Sequence, residues 1–487
     1  MKTDLLSPML IADFYKLSHR LQYPVNTELV YSTWTPRDSR IPEIKEVVVF
    51  GHQSFVKEFL IDFFNENFFS QPLDKVKNDY ARIVKYALGV ATPDTSHIEE
   101  LHNLGYLPLL IKALPEGTRS PIRVPTLTIQ NTHPKFFWLT NYIETLASCE
   151  LWPSYTSATL AYEYKKVLDK AALKTVGNTE FVPFQGHDFS MRGLNGLNAS
   201  TKTGMGHLLS FAGTDTIPAI LAAEYFYHAN VEKELVGTSI PATEHSVQCT
   251  YGDDMKYFTR MISEVHPSGF VSIVSDGYDF WEVINGVLPQ LKDMIMARDG
   301  KVVIRPDSGD PVKIVAGDPD GKTPSEVKGA IECLWEIFGG TVSPQGYKCL
   351  DSHIGMIYGD AITVDRAKRI TDQLAEKGFA STNIVFGIGS FTYQYNTRDT
   401  LGFALKSTAC VINGAEKQIF KDPKTDSGIK KSQKGRVVVF QDGDKIAYKD
   451  QCSLSQEYPE DLLKPIFQDG KLLVDETFAT IRARLAK

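Results

Sequence analysis

Between residues 271 and 390, short β-rich runs alternate with helical stretches, and this alternation constrains the fold more than any other feature. The runs Val271–Val274, Val302–Ile304, Ile354–Tyr358 and Ile384–Phe386 are short and β-rich, and each ends in small or charged residues. The chain between them carries helix signals. Thr323-Pro324-Ser325-Glu326 reads as an N-cap, a first-turn proline and a capping-box glutamate. It predicts a helix that turns Val327, Ile331, Leu334 and Phe338 inward and stops at Gly339-Gly340. A second helix is predicted from about Thr363 through Ile370 and Leu374 to Gly378. Strand and helix in alternation mean a parallel sheet with crossover connections. A barrel gathers reactive residues at the C-terminal ends of its strands. A doubly wound open sheet places ligands there too, so the pattern favours a barrel without separating the two.

Those strand ends carry the chemistry. Asp276 follows the first run, Arg305-Pro306-Asp307-Ser308-Gly309 the second, Gly359-Asp360 the third and Gly387-Ile388-Gly389-Ser390 the fourth. Arg305 and Asp307 read either as an ion pair closing the rim or as a guanidinium for an anion beside a carboxylate for sugar hydroxyls. Gly387-Ile-Gly389-Ser390 is half of a dinucleotide fingerprint without the third glycine, and fits a small-residue turn whose N–H groups approach a phosphate. Gly317 to Thr323 lacks one residue of Walker A spacing and reads as a connecting loop. Asp215 precedes Ile-Pro-Ala-Ile-Leu-Ala-Ala and reads as a helix N-cap. His245 lies in a polar loop where Glu244 is placed to orient it, and no GxSxG elbow supports serine hydrolysis. His187-Asp-Phe189-Ser190-Met191-Arg192 follows a β-like run, Phe181–Phe184.

At 487 residues the chain exceeds one ordinary core and calls for two or three units. Phe55–Phe69 has helical spacing, Pro121–Gln130 alternates like a strand, and Gly435–Phe440 with Lys445–Lys449 around Asp442-Gly443 signals a hairpin. The lysine-rich stretch Lys421–Lys434 reads as a solvated loop able to reach a phosphate. Fifty-two basic against 59 acidic residues give a net charge of −7, which disfavours a general nucleic-acid binder and leaves room for a local basic pocket. The six cysteines include no CxxC pair and read as buried thiols in a reducing compartment. With no signal-like N-terminus and no run of eighteen apolar residues, a cytoplasmic protein with no membrane partner is expected.

Taken in order, His187-Asp-Phe189, Gly213-Thr-Asp-Thr216, Glu244-His-Ser246, Ile304-Arg-Pro-Asp-Ser-Gly309, Gly359-Asp360 and Thr397-Arg-Asp399 resemble the nicotinamide phosphoribosyltransferase family. The resemblance spans nearly the whole chain, from Ala12-Asp-Phe-Tyr-Lys16 through Trp138–Thr145 to Phe420-Lys-Asp-Pro423. It implies a type II phosphoribosyltransferase fold: an irregular α/β barrel at 151–399, and an α+β domain built from both chain ends, 1–150 plus 400–487. The paired acidic stretch before Thr-Gly that marks type I enzymes is absent, since Asp253-Asp254 does not end a β-run.

The resemblance also implies transfer of phosphoribosyl from phosphoribosyl pyrophosphate to nicotinamide, with Mg2+ through unassigned ligands, stimulation by ATP, and a head-to-tail homodimer sharing its sites. By position, Phe189 and the partner subunit's Tyr15 sandwich the pyridine, and Asp215 accepts from the carboxamide. Arg305 and Asp307 hold phosphate and ribose, while Gly359, Asp360, Gly389 and Ser390 hold the sugar and its 5′-phosphate. Arg192, Arg37, Arg398, Lys406 and Lys421 surround phosphate and pyrophosphate, and His245, beside Asp276, is phosphorylated by ATP. Two departures stand out: Ser390 replaces a glycine, and Ser190-Met191 replaces a Gly-Tyr pair expected to wall the nicotinamide pocket. Nicotinate transfer is the nearest alternative, and a non-catalytic signalling protein on the same fold is another.

Overall fold

The structure is a computed structural model that describes residues 6–421 and 432–487. Most of the lysine-rich stretch after Lys421, and the first five residues, lie outside the described residues. Two compact units emerge: Met1–Thr159 with Glu224–Ala229 and Asn396–Lys487, and Leu160–Ala223 with Asn230–Tyr395. The boundaries expected at 150 and 400 fall instead at 159 and 396, and the short return at 224–229 has no signature in the sequence.

The first unit is built on a seven-stranded antiparallel sheet. Its two long central strands, Thr27–Pro36 and Phe403–Ile412, come from opposite ends of the chain and pair residue by residue. Trp34 stacks on Phe403 at 5.2 Å between them, both fully buried. The Phe55–Phe69 stretch is helical as its spacing predicts, with Phe55, Phe59, Phe63, Phe64 and Phe68 inside. The hairpin also forms, turning at Gly443 with φ +58° between Arg436–Asp442 and Lys445–Cys452. Pro121–Gln130, by contrast, is not one strand. Arg119–Pro121 and Leu127–Asn131 lie in different sheets, and Arg123 turns the chain between them at φ +78°.

The second unit holds a parallel sheet of six strands: β1 (Gly186–Asp188), β2 (Gly213–Thr214), β3 (Val271–Val274), β4 (Val302–Arg305), β5 (Ile354–Tyr358) and β6 (Ile384–Ile388). Their spatial order is β2-β1-β6-β5-β4-β3. The two edges do not stay open. Thr238 bridges Gly213 on one edge and Ala242 bridges Ser272 on the other, so the segment between them closes the sheet on itself. This settles the choice between barrel and open sheet in favour of an irregular barrel. The four β-rich runs become β3 to β6, whereas Phe181–Phe184 does not form a strand. Pro183 sits in a short helix, Val182–Gln185, and the strand begins only at Gly186.

The helix after Thr323 has its capping box but breaks at Gly329, with φ +81°. There the chain crowds Gly317, where no Cβ would fit. A second helix, Ala330–Phe338, then buries Ile331, Leu334 and Phe338, while Val327 is left exposed. The helix at Val364–Glu376 forms as predicted, capped by Thr363. Of the cysteines, only Cys333 and Cys410 are buried; Cys149 and Cys249 are exposed, against the expectation of buried thiols throughout. Among the described residues no helix is long and apolar enough to cross a membrane.

Candidate active site

A cavity of about 640 Å³ occupies the barrel of the second unit. It runs from His187, Phe189 and Asp215 at the C-terminal ends of the strands, past Val303 and Met356, to Lys301 and Asn383 at the opposite end. A barrel interior is normally filled by layers of side chains. Here β1 and β2 bring glycine and polar residues to the interior instead, and space remains.

At the rim of that cavity β1 and β2 end side by side, tied by one buried carboxylate. Asp188, fully buried, accepts from Ser190 N and Oγ through Oδ1 and from Thr216 Oγ1 through Oδ2. Ser190 is therefore turned inward to Asp188, and neither it nor Met191 lines the cavity. Phe189 continues the β1 ladder by donating its N–H to Ile388 O. Its ring lies 4.7 Å from the His187 imidazole, and a Cβ at Gly387 would come within 2.6 Å of it.

Asp215 is not a helix cap. Its Oδ1 accepts from His187 Nε2 at 2.9 Å and from Ser239 Oγ at 2.6 Å. Among the described residues nothing donates to Oδ2. Burial pushes this carboxyl up, but the two hydrogen bonds and the charges of His187 and Arg305 more than offset it and hold it below the ordinary carboxylate value.

A second cluster occupies the ends of β3, β4 and β5. His245 is not in a loop but opens the helix His245–Tyr251. Asp276, rather than Glu244, orients it: His245 Nε2 lies 3.0 Å from Asp276 Oδ1, while Glu244 accepts from Ser246 Oγ. Asp276 Oδ2 accepts from the N–H groups of Asp307 and Ser308 and from Ser308 Oγ. Burial acts against ionisation of Asp276, yet these donors hold its carboxyl low. Tyr358 OH donates to the carbonyls of Ser308 and Gly309 and fixes the loop from the other side.

Arg305 and Asp307 do not pair in the manner of a rim salt bridge. Arg305 Nη2 donates to Thr243 O, and both Arg305 Nε and Asp307 Oδ1 are buried without a partner. Burial first, and then the carboxylates of Asp276 and Asp360, push the Asp307 carboxyl up against the opposing charges of Arg305 and His245. Gly359 faces Asp307 so closely that any Cβ would strike its Oδ1. Asp360 is exposed on the same rim. Gly389 has open space where a side chain would project, and Ser390 Oγ fills the space beside Gly193, next to the exposed Arg192.

The remaining expected residues belong to the first unit. Arg37 Nε donates to Gly402 O, and Lys406 lies 4.0 Å from Glu144, which also pairs with Lys16. Burial lowers the Lys406 ammonium; Glu144 opposes this, and Arg37, Lys16 and Arg398 add to it. The structure thus assembles a cationic cluster around one carboxylate. Lys16 and Glu144 are not legible as site residues in the sequence, because a lone charge at the start of a helix carries no local signal. Arg398 lies 3.8 Å from Asp399, and Lys421 is exposed, with its backbone N–H donating to Ser432 Oγ. Tyr15 is exposed, its ring over His19 and Lys16.

A parallel barrel with basic and carboxylate residues on its strand ends, in a chain that also builds a sheet domain from both termini, defines a phosphoribosyltransferase of the type II fold. A solved nicotinate-nucleotide pyrophosphorylase from Pyrococcus furiosus shares this fold with TM-score 0.59 at 16% identity, covering 98% of this chain and 95% of that one. Human nicotinic acid phosphoribosyltransferase does so with TM-score 0.55 at 14% identity, covering 98% and 93%. The model of the nicotinate phosphoribosyltransferase (NAPRTase) family matches residues 184–471, and that of the nicotinamide phosphoribosyltransferase N-terminal domain matches 7–78. A nicotinamide phosphoribosyltransferase of Acinetobacter baylyi is 50% identical over 99% of this chain and 97% of its own length. One from Mycoplasma pneumoniae is 38% identical over 86% and 93%. The chain belongs to the nicotinamide phosphoribosyltransferase family.

Proposed function

We propose that this chain transfers the phosphoribosyl group of phosphoribosyl pyrophosphate to nicotinamide, giving nicotinamide mononucleotide and pyrophosphate for NAD salvage. The observation that carries this reading is Asp215: one carboxylate oxygen is held by His187 and Ser239, and the other is unclaimed on the wall of a cavity beside Phe189. A flat neutral base gains apolar contact against the ring, and its amide NH2 donates to the open oxygen. The carboxylate of nicotinate would meet Asp215 as a like charge. Burying that pair costs several kcal/mol, on the order of 10²-fold in discrimination.

The bond from ribose C1′ to pyrophosphate breaks as the pyridine nitrogen closes on C1′, through a transition state of oxocarbenium character. The protein's work is positioning and charge placement. Asp307 suits ribose hydroxyls, and Arg305 and Arg192 suit phosphate. Gly359, Asp360, Gly389 and Ser390 shape the sugar-phosphate loops, and Arg37, Arg398, Lys406 and Lys421 suit pyrophosphate by their charge. No self-contained metal cluster exists among the described residues, which fits Mg2+ that arrives with the pyrophosphate and keeps most of its water. The unpartnered Asp307 Oδ1 is the carboxylate best placed to help hold it, and the ion would neutralise the leaving group.

ATP stimulation through His245 belongs to the same proposal. With Nε2 engaged by Asp276, Nδ1 is the nitrogen left to take the γ-phosphoryl group as ADP departs. A homodimer, with Tyr15 of one protomer serving the partner's base, and a cytoplasmic location complete the reading. The test is direct: phosphoribosyl pyrophosphate, Mg2+ and either pyridine base, with mononucleotide as readout. Equal kcat/KM for the two bases would overturn the assignment of nicotinamide.

A further inference from the structure

We infer that His187 is a positioning residue that sets base selectivity, by fixing Asp215 and the Phe189 ring with one imidazole. The inference rests on the reading of Asp215 as the acceptor for the carboxamide.

Three features single His187 out. Its Nε2 donates to the same oxygen, Oδ1, that receives Ser239 Oγ, so the carboxylate presents Oδ2 alone to the cavity. An ionised carboxylate only accepts, so the proton sits on Nε2. Its ring also lies against Phe189 at 4.7 Å, tilted by 48°. The third feature is in the sheet register: His187 is flanked by glycine on both sides, Gly387 on β6 and Gly213 on β2. A Cβ on Gly213 would come within 2.8 Å of His187 Nδ1, and one on Gly387 within 2.6 Å of Phe189 Cδ2. Both neighbouring strands are emptied where the His187–Phe189 pair needs room. Strand glycine weakens a sheet unless a close approach requires it.

The consequence concerns selectivity rather than the chemical step. With Oδ1 occupied, an amide NH2 meets one acceptor in one direction. Without His187, either oxygen can turn toward the cavity, and both the orientation of nicotinamide and its advantage over nicotinate decline.

His187→Phe keeps a ring against Phe189 and removes the donor. His187→Gln places an amide N–H near the position of Nε2. Ser239→Ala removes the second donor to Oδ1 from an exposed position and keeps the question answerable if His187→Phe folds poorly. Steady-state kinetics on the full chain with each base should show His187→Phe raising KM for nicotinamide about tenfold and cutting the nicotinamide-to-nicotinate ratio of kcat/KM about tenfold. KM for phosphoribosyl pyrophosphate should stay within about twofold, His187→Gln should restore most of the ratio, and Ser239→Ala should lower it by a smaller factor. A purely structural role would depress both bases alike and leave the ratio where it was. An unchanged ratio in His187→Phe, or in Ser239→Ala if the former does not fold, overturns the inference while the proposed function stands. Wild-type protein that forms no nicotinamide mononucleotide overturns the function and the inference with it.

Discussion

Asp215 and Asp307 stand on the rim of one barrel, yet their surroundings drive their carboxyls in opposite directions. Both are partly desolvated. Around Asp215 the protein supplies donors, His187 and Ser239, and the carboxylate is oriented, with Oδ2 left open, before any ligand arrives. Around Asp307 it supplies two further carboxylates, Asp276 and Asp360, and leaves Oδ1 buried without a partner. The first corner suits a neutral group that needs a fixed acceptor. The second lacks a donor to Asp307 Oδ1, which a sugar hydroxyl would bring. One rim therefore carries a half whose acceptor is already fixed and a half whose carboxylate is not, the division that the proposed function makes between base and ribose.

The sharpest way to break this contrast is Asp307→Ala. Turnover should fall by about 10²–10³ in kcat/KM, in the range seen when one preorganised polar group is removed from a reacting centre. Thermal melts of the ligand-free variant should show no loss of stability, since a repelled carboxylate has gone; a marked drop would mean that Asp307 is structural. Next in size is Asp215→Asn, which should cut the nicotinamide preference by about 10²-fold while leaving KM for phosphoribosyl pyrophosphate nearly unchanged. Retained preference would place the discrimination elsewhere. His245→Ala should abolish labelling by γ-phosphate and remove ATP stimulation, about an order of magnitude, while ATP-independent transfer persists. Labelling that survives would move the phosphoryl site away from His245. A smaller change comes from Gly387→Ala, whose methyl group must displace the Phe189 ring. KM for nicotinamide should rise a fewfold, and competition assays with the base alone would register it.

How much of this could be read in advance follows from what makes a strand visible. β3 to β6 are buried on both faces and so appear as apolar runs. β1 and β2 border the cavity, carry glycine and polar residues, and give no hydrophobic signature. The closing segment Thr238–Ala242 makes only isolated bridges and is equally silent. The site shows the same division. Asp276, Arg305, Asp307, Asp360 and Ser390 were legible because strand ends locate them. Asp215 was read as a cap because its partners, His187 and Ser239, are 28 and 24 residues distant in sequence. The break at Gly329 depends on Gly317, and His245 opens a helix of only seven residues, too short for periodicity.

A third carboxylate, in the first unit, sharpens the comparison because it is buried with no ligand to complete it. Glu116 accepts from Gln53 N through Oε1, while Oε2 has no partner. Burial pushes its carboxyl up to about 7, against the N–H groups of Gln53 and Gly51 and the Tyr227 hydroxyl, with Glu476 adding to the rise. The nearby cation, Arg484, is spent on the Glu116 carbonyl and on Glu476, and His52, held neutral by burial, bonds to Tyr155. Because the folded value exceeds the ordinary one near 4.5, stability from this group is complete below that pH and is lost as pH rises through about 7. The full effect is on the order of 3 kcal/mol, a shift of several degrees at most in a chain of this size. Melts of the wild type at pH 5.5 and 8.5 should therefore differ more than those of Glu116→Gln, which carries no such proton. Parallel slopes in the two proteins would show that Glu116 stays ionised in its pocket, and turnover should differ little between them at pH 7, since none of its hydrogen-bond partners is a residue assigned to the reaction.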